Sequence, residues 1–176
     1  MPSIVIVEYD PAWPALFEAE KAPILAVAGD HIDDIQHVGS TSIAGLGAKP
    51  IIDIMVGLHD LSRVENCVQP LQSIDYRYCG EYGIPERHYF RKPAGASSNQ
   101  VRHDVHMVVK GSDFWRRQLL FRDYLRLHAE DAQEYYLLKK ELAEKFGSDH
   151  AGYTDAKTSF IEAVLTKAFG GFLDSA

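Results

Sequence analysis

The chain has few of the features that mark membrane, secreted or zinc-binding proteins. Its 176 residues include two cysteines, Cys67 and Cys79, which provide neither a disulfide framework nor the ligand spacing of a zinc site. No apolar run approaches the roughly 20 residues that a membrane-spanning helix needs. The N-terminus, MPSIVIVEYD, lacks the basic region and long apolar stretch of a signal peptide. These absences predict a cytoplasmic protein that does not contact membranes.

Positive charge is also scarce. Lysine and arginine number 18 against 25 aspartates and glutamates, which gives a formal net charge of −7. Because neutralising a nucleic-acid backbone requires clustered basic residues, this balance argues against general nucleic-acid binding, although it allows a local basic patch. The G-x-x-x-x-G-K-[ST] phosphate-binding loop is absent, which argues against a P-loop kinase, and the G-x-G-x-x-G dinucleotide motif is absent as well.

Hydrophobic periodicity divides the chain into two parts. Residues 1–111 mix helical and strand-like segments, and from Ser112 onward apolar residues recur three, four or seven apart. We expect one domain over residues 1–176, with an α+β core over residues 1–111 and C-terminal helices over residues 112–176. The predicted fold is a mixed β-sheet with helices on one side and a cap of three C-terminal helices.

The stretch HVGSTSIAGLGAKPIIDIMV, from His37 to Val56, holds the strongest functional signal. Gly39 permits close approach of a ligand to the backbone. Ser40 and Thr41 add hydroxyls that, with exposed amides, suit a phosphate group, although they also suit a plain turn. Asp53 is the only charge in the following β-branched strand. An acid there has to be paired, bound to a metal or placed at a cleft.

A second strand, from Val101 to Lys110, alternates clearly and places Asp104 and His106 on one face. If this strand lies near the strand of Asp53, these three side chains form a candidate metal site. The alternative is that Asp104 and His106 are partly exposed polar residues on a sheet face. Upstream, Tyr76 to Tyr82 and Arg87 to Lys92 are predicted to pair as a hairpin around a glycine-proline turn.

The loop from Pro93 to Gln100 joins this hairpin to the alternating strand. It contains Gly95 and the sequence Ser97-Ser98-Asn99. Small polar loops of this kind often border a binding site. We therefore expect it to lie near the candidate residues.

The motif HVGSTSIAGLGAKPIIDI, followed downstream by LLFRDYLRLH and YTDAKTSFI, closely resembles the GrpB-like proteins over nearly the whole chain. That family is placed in the nucleotidyltransferase superfamily and also occurs as a domain fused behind dephospho-coenzyme A kinase. In nucleotidyltransferases a Gly-Ser turn follows one strand, and acids on the next strands hold metal ions against a nucleoside triphosphate. The resemblance therefore implies a nucleotide or phosphorylated small molecule as ligand and a divalent metal, Mg²⁺ or Mn²⁺ or else Zn²⁺.

The resemblance also implies roles for individual residues. It implies that Asp53 is the principal metal ligand. On the geometric hypothesis given above, Asp104 or His106 is expected to complete both the metal site and the set of catalytic residues. The phosphate groups are expected to contact the following residues: Gly39, Ser40, Thr41, Lys49, Arg122 and Lys157. Lys49 would place a positive charge opposite Asp53.

Two of these cations have particular local settings. Arg122 and Arg126 lie one helical turn apart and suit an anion, but the alternative is that they bond local acids such as Asp123. Lys157 is expected in the first turn of the last helix, where the helix dipole disfavours a cation. An external anionic partner for Lys157 is therefore plausible.

The sequence departs from the superfamily pattern two residues after Asp53, where a second carboxylate is replaced by Met55. Three functions stay open: metal-dependent nucleotidyl transfer, a noncatalytic nucleotide-binding or protein-interaction module linked to coenzyme A metabolism, and a metal-dependent hydrolase. The missing acid favours the second. The hydrolase would use histidines and acids from the following set: His37, His103, His106, Asp53 and Asp104. It is weakened because His103 and His106 face opposite sides of their strand.

Overall fold

The computed structural model describes residues 3–92 and 101–173 of the chain. Within these residues there are six α-helices and five β-strands, which occur in the following order: α1 (Trp13–Ala28), β1 (Asp34–Val38), β2 (Ile51–Leu58), α2 (Val64–Gln72), β3 (Arg77–Tyr78), β4 (His88–Lys92), β5 (Arg102–Val109), α3 (Asp113–Leu127), α4 (Ala129–Phe146), α5 (His150–Ala156) and α6 (Thr158–Leu173). The loop from Pro93 to Gln100 that was predicted to border a site lies outside the described residues.

The strands form one mixed sheet in the order β1-β2-β5-β4-β3. Strands β2 and β5 run parallel, and the other neighbouring pairs are antiparallel. The register places Asp53 beside Asp104 and Met55 beside His106. The predicted hairpin is confirmed, although its first strand is reduced to Arg77–Tyr78. The strand of Asp53 and the strand of Asp104 and His106 are therefore direct neighbours in the sheet, which meets the condition set for the candidate site.

The two faces of the sheet pack differently because side chains alternate along each strand. Helices α1 and α2 cover one face, where Trp13 and Phe17 join strand residues such as Ile52, Ile54 and Val105 in the main core. The residues that alternate with these along the strands, including Asp53 and Asp104, lie on the opposite face of the sheet. The prediction of core helices on one side of the sheet is confirmed.

The C-terminal helices approach that opposite face. Helix α3 begins after Ser112, whose hydroxyl accepts a hydrogen bond from the Trp115 amide. Trp115 then packs against Val38, Met55 and Val108. This confirms the predicted helical cap and shows why position 55 is apolar, since its side chain is buried under α3. No helix in residues 3–92 or 101–173 combines the length and apolarity needed to cross a bilayer.

The end of the cap differs from the sequence prediction. A separate short helix, α5, begins at His150 with the Asp149 carboxylate as its cap. By residue type Thr154 or Asp155 is able to cap the last helix, but both lie inside α5. Lys157 stands at the junction between α5 and α6 rather than in the first turn of α6. A helix of seven residues is too short to show a helical period in the sequence.

Candidate functional site

A cleft of about 420 Å³ lies between the polar face of the sheet and the C-terminal helices. One wall is formed by the turn after β1 and by residues of β2 and β5, and the other by side chains of helices α3 to α6. The polar residues that line the cleft are Ser40, Thr41, Lys49, Asp53, Arg102, Asp104, His106, Arg117, Gln118, Lys139, Tyr153, Thr154 and Lys157. Most of the predicted site residues are therefore brought together.

The turn after β1 is built around Gly39, which has φ 72° and ψ −179°. This backbone region is open to glycine and almost closed to other residues. The Gly39 carbonyl accepts a hydrogen bond from the Ser42 hydroxyl at 2.6 Å. Ser40 follows directly and lines the cleft. The sequence expectation that Gly39 permits a special backbone conformation is confirmed.

Thr41 holds the turn in place from inside. Its hydroxyl donates to the Ile51 carbonyl at 3.0 Å and bonds the His37 Nε2 at 3.0 Å. His37 stacks on Phe17 with ring centroids 4.8 Å apart. Burial lowers the pKa of His37 to about 4, so the imidazole is neutral at pH 7 and both side chains serve the turn. The structural alternative for Thr41 is therefore favoured over a phosphate contact by its hydroxyl.

Asp53 projects from β2 into the cleft and contacts His106 on β5. The His106 Nε2 lies 3.1 Å from the Asp53 Oδ1. The other imidazole nitrogen, Nδ1, lies 3.1 Å from the Nη1 of Arg87. The arrangement is a chain of three side chains that ends at the Asp53 carboxylate.

Asp104 has different partners from those expected of a metal ligand. The Arg102 guanidinium donates to both of its carboxylate oxygens, at 2.9 and 2.7 Å, and Arg91 lies 3.6 Å away. The carboxylate is buried, whereas the two arginines are partly exposed. Arg102 lies two residues before Asp104 and shares its strand face. From this two-residue spacing the pair could have been predicted from the sequence.

A preformed metal centre of Asp53, Asp104 and His106 is not present in the part of the chain that the structure describes. No group of three or more His, Cys, Asp or Glu side chains is placed there to hold a metal ion. Asp104 is engaged by arginine, and both His106 nitrogens have partners. The donor set fits a single ion that brings phosphate oxygens with it, because Mg²⁺ often takes only one or two protein carboxylates. It does not fit a two-metal centre.

Three lysines from different elements converge on the other end of the cleft. Lys49 and Lys157 lie over the ring of Tyr153, at 5.1 and 4.3 Å. Lys139, on α4, lies 4.8 Å from the Tyr135 ring centroid and donates to the Gly47 carbonyl at 2.5 Å. Within the described residues no carboxylate lies at ion-pair distance from any of the three. The lysine ion pairs there involve Lys21, Lys92, Lys110 and Lys167.

The setting of these lysines lowers their affinity for protons. Burial, and then the charges of Lys157 and Lys49, lower the pKa of Lys139 to about 7. Burial and the charge of Lys49 lower the pKa of Lys157 to about 8, against the opposing effect of Asp53. Burial also lowers the pKa of Lys49, although Asp53 opposes it.

Arg122 is not among the residues that line the cleft. Its Nη1 donates to the Gln36 side chain and to the His37 carbonyl, each at 3.0 Å, and its Nε donates to Asp123 at 2.7 Å. Arg126 donates twice to the Ser42 carbonyl, at 3.1 and 2.7 Å. The two arginines attach α3 to β1 and to the turn, so the structural alternative is favoured for Arg122.

His103 lies on the opposite face of β5, as the alternation predicted. Burial lowers its pKa, and its Nε2 is a buried atom without a hydrogen-bond partner in the described residues. It lies beside Lys92 in the sheet register and cannot join Asp53 and His106 across the sheet. The geometry gives the hydrolase hypothesis no support.

Comparison with known proteins identifies the family of this chain. The family model described as "GrpB protein" matches residues 3–167. The Glutamate-rich protein GrpB of Alkalihalophilus pseudofirmus is 34% identical over 165 residues, which are 93% of this chain and 95% of that protein. The UPF0157 protein YqkA of Bacillus subtilis is 37% identical over 94% of this chain, but the match spans only 47% of YqkA.

Comparison with solved structures also identifies a GrpB protein as similar to this chain. The conserved protein GrpB from Enterococcus faecalis has a TM-score of 0.84 at 32% identity, covering 96% of this chain and 99% of that chain. The Cid1 poly(U) polymerase matches with a TM-score of 0.53 at 13% identity, over 79% of this chain and 43% of its own. The second likeness shows only that the nucleotidyltransferase-like fold is shared. On the family model and the relatives together, the chain belongs to the GrpB family.

Proposed function

We propose that this protein binds a nucleotide or another phosphorylated small molecule in the cleft, with the phosphates directed toward Lys49, Lys139 and Lys157. The observation that carries the proposal is the convergence of these three lysines without a carboxylate partner among the described residues. The nucleotidyltransferase-like fold and the Gly39-Ser40 turn support the same ligand class.

The electrostatic argument concerns the cost of holding these lysines together. Burial and mutual repulsion disfavour the charged amines, as the lowered pKa values of Lys139 and Lys157 indicate. A polyanion that enters the cleft offsets this repulsion and restores the charge. A phosphate chain has the charge density for the task.

Asp53 gives the cleft a second, negative end. We propose that a divalent ion, Mg²⁺ or Mn²⁺ or else Zn²⁺, enters with the phosphates and that Asp53 is its protein ligand. Such an ion offsets negative charge on the phosphate oxygens. Gly39 and Ser40 adjoin this carboxylate and offer backbone amides and a hydroxyl to the same ligand.

Binding without turnover is the function that we favour. Met55 is buried against Trp115 and Asp104 is engaged by Arg102, so Asp53 is the carboxylate left for the ligand. Nucleotidyl transfer is the second candidate, favoured by the position of Asp53 beside the Gly39-Ser40 turn. A cytoplasmic location and a protein partner in coenzyme A metabolism stay predictions of the sequence.

A binding screen tests the proposal. Nucleoside triphosphates, coenzyme A precursors and inorganic triphosphate are added to the protein with and without Mg²⁺, Mn²⁺ or Zn²⁺, and apparent stability and heat of binding are measured. The expected result is saturable binding that Lys157→Met weakens at least tenfold. Lys140→Met, a change at an exposed lysine of the same cap, should leave affinity unchanged. Equal affinities in all three proteins would contradict the proposed site.

Asp53→Asn separates the two candidate functions. Transfer of a nucleotidyl group releases pyrophosphate from a triphosphate, so pyrophosphate release by the wild type that is lost in Asp53→Asn would establish the enzyme. A binding module should release none, and the substitution should leave affinity for a metal-free triphosphate intact or raise it by removing negative charge.

A further inference from the structure

Arg87 is a buried arginine whose partners do not include a carboxylate. Its side chain is 6% exposed, and in the described residues no acidic oxygen lies at ion-pair distance from its guanidinium, whereas Arg91 and Arg102 both approach Asp104. Arg87 contacts the His106 Nδ1 and lies 5.0 Å from the ring centroid of Tyr89. Burying a guanidinium without a carboxylate partner costs free energy, which indicates that its contacts have a role in the structure.

The contacts of His106 with Arg87 and with Asp53 together decide which nitrogen of the imidazole carries the proton. A guanidinium has donors and no acceptor. The His106 Nδ1, 3.1 Å from the Arg87 Nη1, must therefore accept a hydrogen bond and cannot carry a proton. The neutral imidazole then has its proton on Nε2, which lies 3.1 Å from the Asp53 Oδ1. His106 donates this proton in a hydrogen bond to Asp53.

We infer that Arg87 is a positioning residue for the cleft, which holds His106 as the Nε2-protonated imidazole and thereby fixes the orientation of the Asp53 carboxylate. In this arrangement His106 has no free lone pair and is a hydrogen-bond donor rather than a metal ligand or a general base. The inference stands on the ligand-free geometry and does not depend on the proposed function.

Arg87 is held in this position from its other side by the turn between β3 and β4. Its Nη2 donates to the carbonyls of Glu81 and Tyr82, at 3.1 and 3.0 Å. Tyr82 and Glu86 have positive φ values, 47° and 61°, and the Glu86 amide donates to the Glu81 side chain at 2.7 Å. The guanidinium cannot swing away from His106 without also releasing this turn.

The aromatic neighbours complete the positioning of the imidazole. The Tyr89 and Phe114 rings lie 5.4 and 6.1 Å from the His106 ring. Tyr89 also stacks on Tyr82 at 5.2 Å. A path of contacts therefore runs from the turn through Arg87 and Tyr89 to the acid of the cleft.

Nuclear magnetic resonance of histidine nitrogens tests the inference on the ligand-free full chain. The protein is labelled with ¹⁵N-histidine at about neutral pH, and the His106 signals among its eight histidines are assigned by their loss in His106→Gln. The expected result is a protonated Nε2 and an unprotonated Nδ1 in a single tautomer. A protonated Nδ1, a mixture of tautomers or an imidazolium in the wild type would overturn the inference.

Substitutions of Arg87 test its part directly. Arg87→Met removes the donor to Nδ1, so the ¹⁵N resonance of the His106 Nδ1 should shift, whereas the Asp53 carboxylate still accepts from the protonated Nε2. Arg87→Lys, which retains a donor, should shift that resonance less. Arg63→Met, a change at an arginine paired with Asp33 outside the cleft, should leave the spectrum unchanged. An unaltered Nδ1 resonance of His106 in folded Arg87→Met would refute the role of Arg87, and if that variant does not fold, the wild-type spectrum still tests the inference.

Discussion

Gly39 and Asp53 are in direct contact across the first two strands of the sheet. An ideal Cβ at Gly39 would collide with the Asp53 Oδ2 and lie 3.1 Å from its Cγ. The antiparallel register, which pairs Val38 with Asp53, brings the turn and the carboxylate together. A glycine is therefore required at position 39 both for its backbone conformation and for the space that the acid occupies.

Gly39→Ala should destabilise the protein and disturb the acid. Strain in a glycine-only backbone region and overpacking against Asp53 together cost roughly 2–6 kcal/mol of unfolding free energy. Urea unfolding measures the loss of unfolding free energy. The affinity for inorganic triphosphate measures the disturbance of the Asp53 carboxylate.

Gly45→Ala is the matched control for this prediction. Gly45 has φ 78° and no heavy atom within 4 Å of an added Cβ, so the alanine adds backbone strain of about 1–2 kcal/mol and no collision. Equal losses of stability in the two variants would show that the contact with Asp53 contributes nothing.

The pKa values of Lys139 and Lys157 predict that stability rises with pH. The ordinary pKa of a lysine amine is 10.5, and burial in the fold lowers the pKa of Lys139 to about 7 and that of Lys157 to about 8. Between pH 7 and pH 10.5 the unfolded chain binds more protons, so the free energy of unfolding increases with pH across this window. Urea unfolding at several pH values measures the slope.

Lys139→Met should reduce this slope, because it removes the group with the larger shift. Lys140→Met, at the exposed neighbouring position on α4, should retain the wild-type slope. An identical pH profile for all three proteins would contradict the lowered pKa of Lys139.

Phosphate binding should be accompanied by proton uptake. A polyanion beside Lys139 and Lys157 raises their pKa values, so at about pH 8 the complex binds protons that the free protein lacks. Calorimetric titration with inorganic triphosphate, in two buffers of different ionisation enthalpy, measures the number of protons taken up on binding. No difference between the buffers would mean that the lysines keep their protonation states.

Arg122→Met tests a structural role against a ligand contact. The substitution leaves the His37 carbonyl without its arginine donor and should cost roughly 1–3 kcal/mol of unfolding free energy. Affinity for triphosphate should stay within about twofold of the wild type, since Arg122 lies outside the cleft lining. Arg116→Met, at a mostly exposed side chain, should change neither quantity. A selective loss of affinity in Arg122→Met would restore the original prediction for that residue.

Local sequence rules were sufficient for the strands and for the faces of the sheet. Alternation along β5 predicted that Asp104 and His106 share a face, and the cleft contains both. The structure adds the contact between His106 and Asp53, at 3.1 Å. These predictions succeed because strand geometry alternates side chains with a fixed period of two.

The sequence by itself determined the family, the mixed sheet with its helical cap, and the position of the acid beside a glycine turn, because these depend on local periodicity and on a nearly continuous motif. Only the tertiary structure decided the partners of charges on different elements: Arg87 with His106, and Arg122 with the turn. It also decided that lysines from distant segments meet in one cleft. Side-chain pairing of this kind depends on the packing of elements far apart in the chain, which no local pattern encodes.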